Sequence, residues 1–193
     1  MKRFSPRLFL RAENGMAAIE TALILPFLIL LYFGMIDLTS LISFNRKITY
    51  SAGVVADLVA QNKTSVLKST INDYYKAVDL VMAPTPTGNY RTNLYGYRKV
   101  GGAITKIWQT SNGSGPSCST VPTASSMAPL MTAGNDIIVA ITCMDYTPYV
   151  ATFLGERVIG GTSFNVEQQI MVRPRSTTTL TCYETTVGGA ACT

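Results

Sequence analysis

Glu20 is the residue near the N-terminus whose type and position most clearly indicate a chemical role, because its carboxylate lies inside an almost uncharged apolar segment. Glu20 and Asp37 are the only charged residues between Met16 and Ile42. An ionisable side chain in a membrane helix is costly and usually has a partner. If the chain were cut after Gly15, Met16 would carry a free amine, four positions before Glu20 and on the same face of a helix. The spacing therefore predicts processing between Gly15 and Met16, and pairing of Glu20 with its own terminal amine or with that of a neighbouring subunit.

A plainer interpretation of both acidic residues stays open. The carboxylate of Glu20 would then only reach the cytoplasmic headgroups, with no specific partner. Asp37 lies beyond the uncharged core of the segment. It is expected either at the membrane interface or paired with a polar group on the helix of another subunit.

Patterns for catalysis and for metal binding are scarce. The chain has no histidine, which removes Ser-His-Asp and Cys-His nucleophile systems and His-ligated metals. Gly113-Ser114-Gly115 lacks the third glycine of a dinucleotide-binding loop. The carboxylates of the C-terminal half are few and scattered: Asp136, Asp145, Glu156, Glu167 and Glu184. The sequence therefore predicts neither an enzyme nor a cofactor.

Four cysteines, Cys118, Cys143, Cys182 and Cys192, all lie in the C-terminal half. Their intervals of 25, 39 and 10 residues do not give the two close pairs that are typical of a Cys₄ zinc site. An even number of cysteines in an exported region is typical of an oxidising compartment. Four thiols allow three pairings, and proximity along the chain favours Cys118–Cys143 and Cys182–Cys192.

The apolar segment that holds Glu20 predicts a membrane-spanning helix over residues 16–42. Thr21–Ile36 contains no charge, and the whole segment as a helix would be about 40 Å long, which exceeds the ~30 Å hydrocarbon core of a bilayer. A cleaved secretory leader is the alternative, but no small-x-small cleavage site ends the apolar run.

Charge before and after this segment predicts its orientation. The leader, residues 1–15, has four basic residues and one acidic residue: Lys2, Arg3, Arg7, Arg11 and Glu13. They outnumber Arg46 and Lys47 behind the segment, which predicts a cytoplasmic N-terminus and an exported C-terminal part. Because the leader holds most of the net charge of +5, the basic balance does not predict nucleic-acid binding.

The remaining residues predict an α+β fold. Ile48, Val54, Val55, Leu58 and Val59 repeat at the helical period, so the helix is expected to continue to about residue 62. A second helix is predicted from a Ser65 cap to about residue 79, before two prolines. Strands are predicted near 91–99, 103–110, 136–145, 162–173 and 178–183, with a loop over 111–129. The predicted regions are the leader (1–15), the membrane helix (16–42), an amphipathic helical region (43–89) and a small antiparallel head (90–193).

The stretch GMAAIETALILPFLILLYFGMIDLTSLI resembles the N-terminal signature of the TadE family, the minor pilins (pseudopilins) of the tight-adherence, or Flp-type, pilus. Gly15 matches the cut site of that signature, and Glu20 matches its acid at mature position five. Pro26 matches the proline within the apolar run, and Gly34 and Asp37 match the Gly-x-x-Asp that follows it.

The resemblance implies cleavage after Gly15 by a prepilin peptidase, methylation of the new amine and a role in pilus biogenesis by helix packing. The implied partners are the peptidase, the pilus assembly platform, the major pilin and other minor pilins. The implied location is the inner membrane before assembly, with a periplasmic or extracellular head. A single-pass envelope protein whose head binds a ligand or another protein is the alternative.

Overall fold

The computed structural model describes residues 14–120, 122–154, 163–175 and 179–193. Most of the predicted leader, residues 1–13, lies outside the described residues. The elements in chain order are α1 (Asn14–Ala60), β1 (Ser65–Leu67), α2 (Lys68–Met82), β2 (Tyr90–Val100), β3 (Ala103–Asn112), α3 (Ala124–Met127), β4 (Asp136–Tyr146), α4 (Tyr149–Leu154), β5 (Phe164–Val172) and β6 (Thr181–Tyr183). This mixture of a long apolar helix, further helices and a small antiparallel sheet confirms the predicted α+β class.

Contacts divide the chain into two units. The first contains the described residues of 1–41 and 147–162, and the second contains those of 42–146 and 163–193. Helix α1 contributes residues to both units.

The second unit is built on a four-stranded antiparallel sheet with the strand order β3-β2-β4-β5. Strands β2 and β3 form a hairpin, and its turn residues Gly101 and Gly102 both have positive φ, at 57° and 89°. Two-residue hairpin turns of this kind favour glycine because other residues are strained there. Strand β4 is buried along its length except at Asp145, so both faces of the sheet are covered.

The C-terminal part of α1 covers one face. Its buried residues recur at spacings of three and four, as the helical period requires: Ile48, Ala52, Val55, Ala56, Val59 and Ala60. Val54 and Leu58, which the sequence predicted on this face, are only half-buried. The alanines take their place because a small side chain lets the helix backbone lie close to the sheet.

A chain of hydroxyl groups crosses this apolar contact. The Ser51 hydroxyl donates to the Ile48 carbonyl at 2.8 Å and lies 3.4 Å from the Thr142 hydroxyl of β4. Thr142 in turn bonds Thr92 of β2 at 3.0 Å. All three hydroxyl side chains are buried, and each has the hydrogen bonds that burial demands.

The predicted start of α2 at a Ser65 cap is wrong. Ser65–Leu67 forms the short strand β1, which pairs in parallel with β6, so Ser65 lies opposite Thr181. The helix begins at Lys68, after Leu67, whose side chain cannot accept a hydrogen bond. Strand pairing with a segment more than a hundred residues away has outweighed a local capping signal.

The region predicted as a loop covers the other face of the sheet. Strand β3 extends to Asn112, and the region then includes α3 and a short 3₁₀ turn, Ala128–Leu130. Met127 and Met131 pack there with Ile137, Val139 and Ile141 of β4. The predicted loop is therefore an outer layer of the core.

Both disulfides lie in this second unit. Cys118 bonds Cys143, which ties the covering region to β4, and Cys182 bonds Cys192, which ties the C-terminal residues to β6. Each closes a loop, of 25 and 10 residues, and loop closure of this size stabilises a fold by roughly 3 kcal/mol.

Candidate functional site: an exposed apolar helix

Helix α1 presents a bare apolar surface over its N-terminal part. Every side chain from residue 16 to residue 28 is exposed. Large exposed apolar side chains in this part of the helix include Leu23, Phe27 and Leu31, whose exposed fractions are 67%, 69% and 69%. Among the described residues, one helix is long and apolar enough to cross a membrane, and its most apolar window has no buried share. The core helix of a soluble domain would be mostly buried, so this surface requires lipid or other protein to cover it.

Two threonine hydroxyls of this segment are satisfied within the helix. The Thr21 hydroxyl donates to the Ala17 carbonyl at 2.7 Å, and the Thr39 hydroxyl donates to the Met35 carbonyl at 2.9 Å. Both bonds reach back one turn, which removes the cost of a free hydroxyl in hydrocarbon. Pro26 lies inside the helix, and its missing N–H leaves one carbonyl of the preceding turn without its helical donor.

The residues of the predicted processing site all lie at the start of this helix. The backbones of Gly15 and Met16 are helical, in the first turn of α1. Met16 and Glu20 are exposed and four residues apart, so the structure places them on one face. A carboxylate in this position is suited to bind a cation one turn away at the N-terminal side.

Asp37 has a contact that the sequence did not predict. Its two carboxylate oxygens accept the backbone N–H groups of Tyr149 and Val150, at 2.6 and 2.8 Å. These are the first two residues of α4, so Asp37 caps that helix from a distant position in the chain. No local signal in the sequence indicates this contact, because Asp37 and Tyr149 lie 112 residues apart.

The carboxylates of the second unit hold its structure together. Asp136 is buried, forms two hydrogen bonds with Arg98 at 2.7 and 2.8 Å, and accepts the Leu180 N–H at 2.6 Å. The hydrogen bond to Asp136 raises the pKa of the Arg98 guanidinium above its ordinary value. Glu184 binds Lys68 at 2.8 Å, and that hydrogen bond lowers the pKa of the carboxyl.

Glu167 of β5 fastens the covering region. It accepts the backbone N–H groups of Ser119 and Thr120 and the Ser119 hydroxyl. Partial burial raises the pKa of Glu167, but these hydrogen bonds outweigh that effect, and the net pKa is lowered. Glu156, another of the scattered carboxylates, lies outside the described residues. Within the described ranges, no cluster of three or more metal-ligating side chains occurs.

The exposed part of α1 matches a known protein family. Residues 15–57 match the family model described as TadE-like protein. The N-terminal segment is TadE-like. This match confirms the resemblance seen in the sequence. No curated protein and no solved structure matches the chain.

The TadE-like segment, residues 15–57, covers less than a quarter of the chain. It includes Gly15, Met16, Glu20 and Asp37, and it ends at Asp57. The side chain of Asp57 pairs with Arg175. The TadE-like family is structural rather than enzymatic and suggests partners of the pilin and pilus-assembly class in general. The apolar helix suggests a single-pass membrane anchor.

Proposed function

We propose that this protein is a minor pilin (pseudopilin) of a tight-adherence pilus, cut after Gly15 by a prepilin peptidase and incorporated by packing of α1. The observation that carries the proposal is the exposed apolar surface of α1 with Glu20 near its start. Lipid covers this surface before assembly, and the helices of other subunits cover it afterwards. The major pilin, other minor pilins and the assembly platform supply those contacts.

The position of Gly15 supports cleavage there. The first four N–H groups of a helix have no intrahelical acceptor, so its first turn unwinds at little cost. The Gly15–Met16 bond lies in that turn, and glycine has the least steric resistance to the extended conformation that a peptidase requires. Cleavage leaves the Met16 amine one turn from Glu20.

Glu20 then acts through charge. In hydrocarbon, an ammonium and a carboxylate stabilise each other, and removal of one partner leaves a buried charge at a cost of about 3–5 kcal/mol. The pairing with an amine of an adjacent subunit sets the axial register of stacked helices. The two disulfides support an exported head, because such bonds persist in oxidising compartments.

Intact-mass measurement and N-terminal sequencing of the protein from its host test the cleavage. The expected mature chain begins at Met16. A Gly15→Val variant should keep the leader and fail to enter sheared pili. An uncut native chain, or normal assembly of the Gly15→Val variant, would contradict the proposal and favour an envelope protein whose helix is only an anchor.

The role of Glu20 has its own matched pair of variants. Glu20→Gln should be cleaved normally but enter pili more than about 100-fold less, the equivalent of losing about 3 kcal/mol. The double variant Glu20→Gln/Thr21→Glu keeps the carboxylate but moves it about 100° around the helix. It should fail as Glu20→Gln does. Normal piliation by Glu20→Gln would show that pairing is not required.

A further inference from the structure

Helix α4, Tyr149–Leu154, belongs to the same unit as the apolar part of α1. The two hydrogen bonds from Tyr149 and Val150 to Asp37 fix the start of α4 beside one particular turn of α1. The depth of that turn in a membrane can be worked out from the geometry of α1.

Asp37 lies at the outer end of the hydrocarbon core when α1 spans a membrane. It follows Met16 by 21 residues, which is about 31 Å of helix, against a hydrocarbon thickness of ~30 Å. Tyr32 lies about 7 Å before it along the axis and is 64% exposed. Tyrosine is enriched near the membrane–water interface because its ring is apolar and its hydroxyl reaches water.

The start of α4 has the composition that this depth favours. Tyr149 is 58% exposed, whereas Ala151 is buried. The stretch YVATFL contains no charged residue. The carboxylate of Asp37 satisfies the two backbone N–H groups that would otherwise be costly near hydrocarbon.

We propose that α4 is a second membrane-contacting element, held by Asp37 at the boundary between hydrocarbon and headgroups of the outer leaflet. The exposed ring of Tyr149 lies among the phospholipid headgroups, whereas the backbone of Tyr32 lies about 7 Å deeper. A segment that lies between β4 and β5 in sequence thus helps to set the depth of the N-terminal anchor. The inference rests on the membrane insertion that the proposed function includes.

Tryptophan fluorescence of the full chain in phosphatidylcholine–phosphatidylglycerol vesicles tests the depth. Trp108 is the single native tryptophan and is buried, so it gives the baseline. Tyr149→Trp should lose more emission with lipids brominated near the headgroups than with lipids brominated near the bilayer centre. Leu31→Trp is the control for the span, and Leu80→Trp, on the exposed side of α2 at 78%, is the control for water.

Each pattern of quenching has a distinct meaning. If bromine quenches Leu31→Trp but leaves the emission of Tyr149→Trp at the baseline, the proposal is wrong and the membrane span stands. Baseline emission from both would overturn the span as well. If Tyr149→Trp responds to the protein-to-lipid ratio but not to bromine, its occupant is a second copy of this chain, and the lipid proposal fails.

The holding role of Asp37 is tested in the Tyr149→Trp background. Asp37→Ala should abolish the preference for shallow bromine, because the N–H groups of α4 lose their acceptor. Asp37→Asn keeps a carbonyl oxygen that can cap a helix and should retain most of the preference. An unchanged depth profile in Asp37→Ala would overturn the role of Asp37.

Discussion

Replacement of Arg98 by Met should destabilise the second unit by about 3–5 kcal/mol, because it would leave the buried carboxylate of Asp136 without its counter-ion. The Asp136 side chain is 1% exposed and forms both of its ion-pair hydrogen bonds with Arg98. The Leu180 N–H remains as a donor to Asp136. One neutral donor does not offset a buried negative charge, and the loss is therefore expected to be large.

The double variant Arg98→Met/Asp136→Leu separates charge burial from the hydrogen bond to Leu180. With both charges removed, the remaining cost is the unsatisfied Leu180 N–H, about 1–3 kcal/mol. The double variant should therefore be more stable than Arg98→Met alone. That ordering is opposite to the one expected if each side chain contributed independently.

The assay is urea unfolding of the full chain in detergent micelles with the disulfides intact. Trp108 is a local probe, because its indole N–H donates to the Leu180 carbonyl at 3.0 Å. The emission of Trp108 should therefore change when the contacts around Leu180 and Asp136 are lost. A change below about 1 kcal/mol for Arg98→Met, or a double variant less stable than the single one, would refute the reasoning.

Three further predictions follow from the surroundings of single residues. Gly96→Ala would place its Cβ 2.1 Å from Trp108 Nε1, so we expect the free energy of unfolding to fall by about 1–3 kcal/mol in the same assay. Gly53→Ala has nothing within 4 Å of its Cβ and should instead stabilise α1 by about 0.5–1 kcal/mol. The pKa of Glu167 is lowered on folding, so its contribution is present above the ordinary pKa of 4.5 and is lost as the pH falls through the lower folded value. In hydrogen exchange, the Ser119 and Thr120 amides that Glu167 binds should therefore lose protection in acid. In Glu167→Gln, the same amides should be less protected at neutral pH and should change less on acidification. Equal exchange in both proteins at every pH would contradict this.

The strands were predictable because β-branched and aromatic residues are concentrated in them and glycine- and proline-containing turns separate them. The predicted strand near 91–99 is found at Tyr90–Val100, and that near 136–145 is found at Asp136–Tyr146. The end of α2 was also predictable: the helix stops at Met82, just before Pro84. These signals are local, and the sequence contains them in full.

The features that were missed depend on distant partners. Strand β1 has three residues, and it is a strand only because β6 lies beside it. Asp37 caps a helix more than a hundred residues further along the chain. The buried alanines of α1 carry little hydrophobic signal of their own, because their role is to permit a close approach. Of the candidate site, the apolar surface and the position of Glu20 were readable, whereas the contact of Asp37 was not.

The hydroxyl chain of Ser51, Thr142 and Thr92 has a consequence for how α1 docks on its sheet. Apolar contacts are non-directional, so a surface of alanine and valine would tolerate a helix that slips or rolls. A hydrogen bond is directional, and a roll of one residue, about 100°, would turn Ser51 away from β4 altogether. The three small hydroxyls thus allow only one rotational setting of the C-terminal part of α1 on its sheet, which apolar contacts alone would not fix.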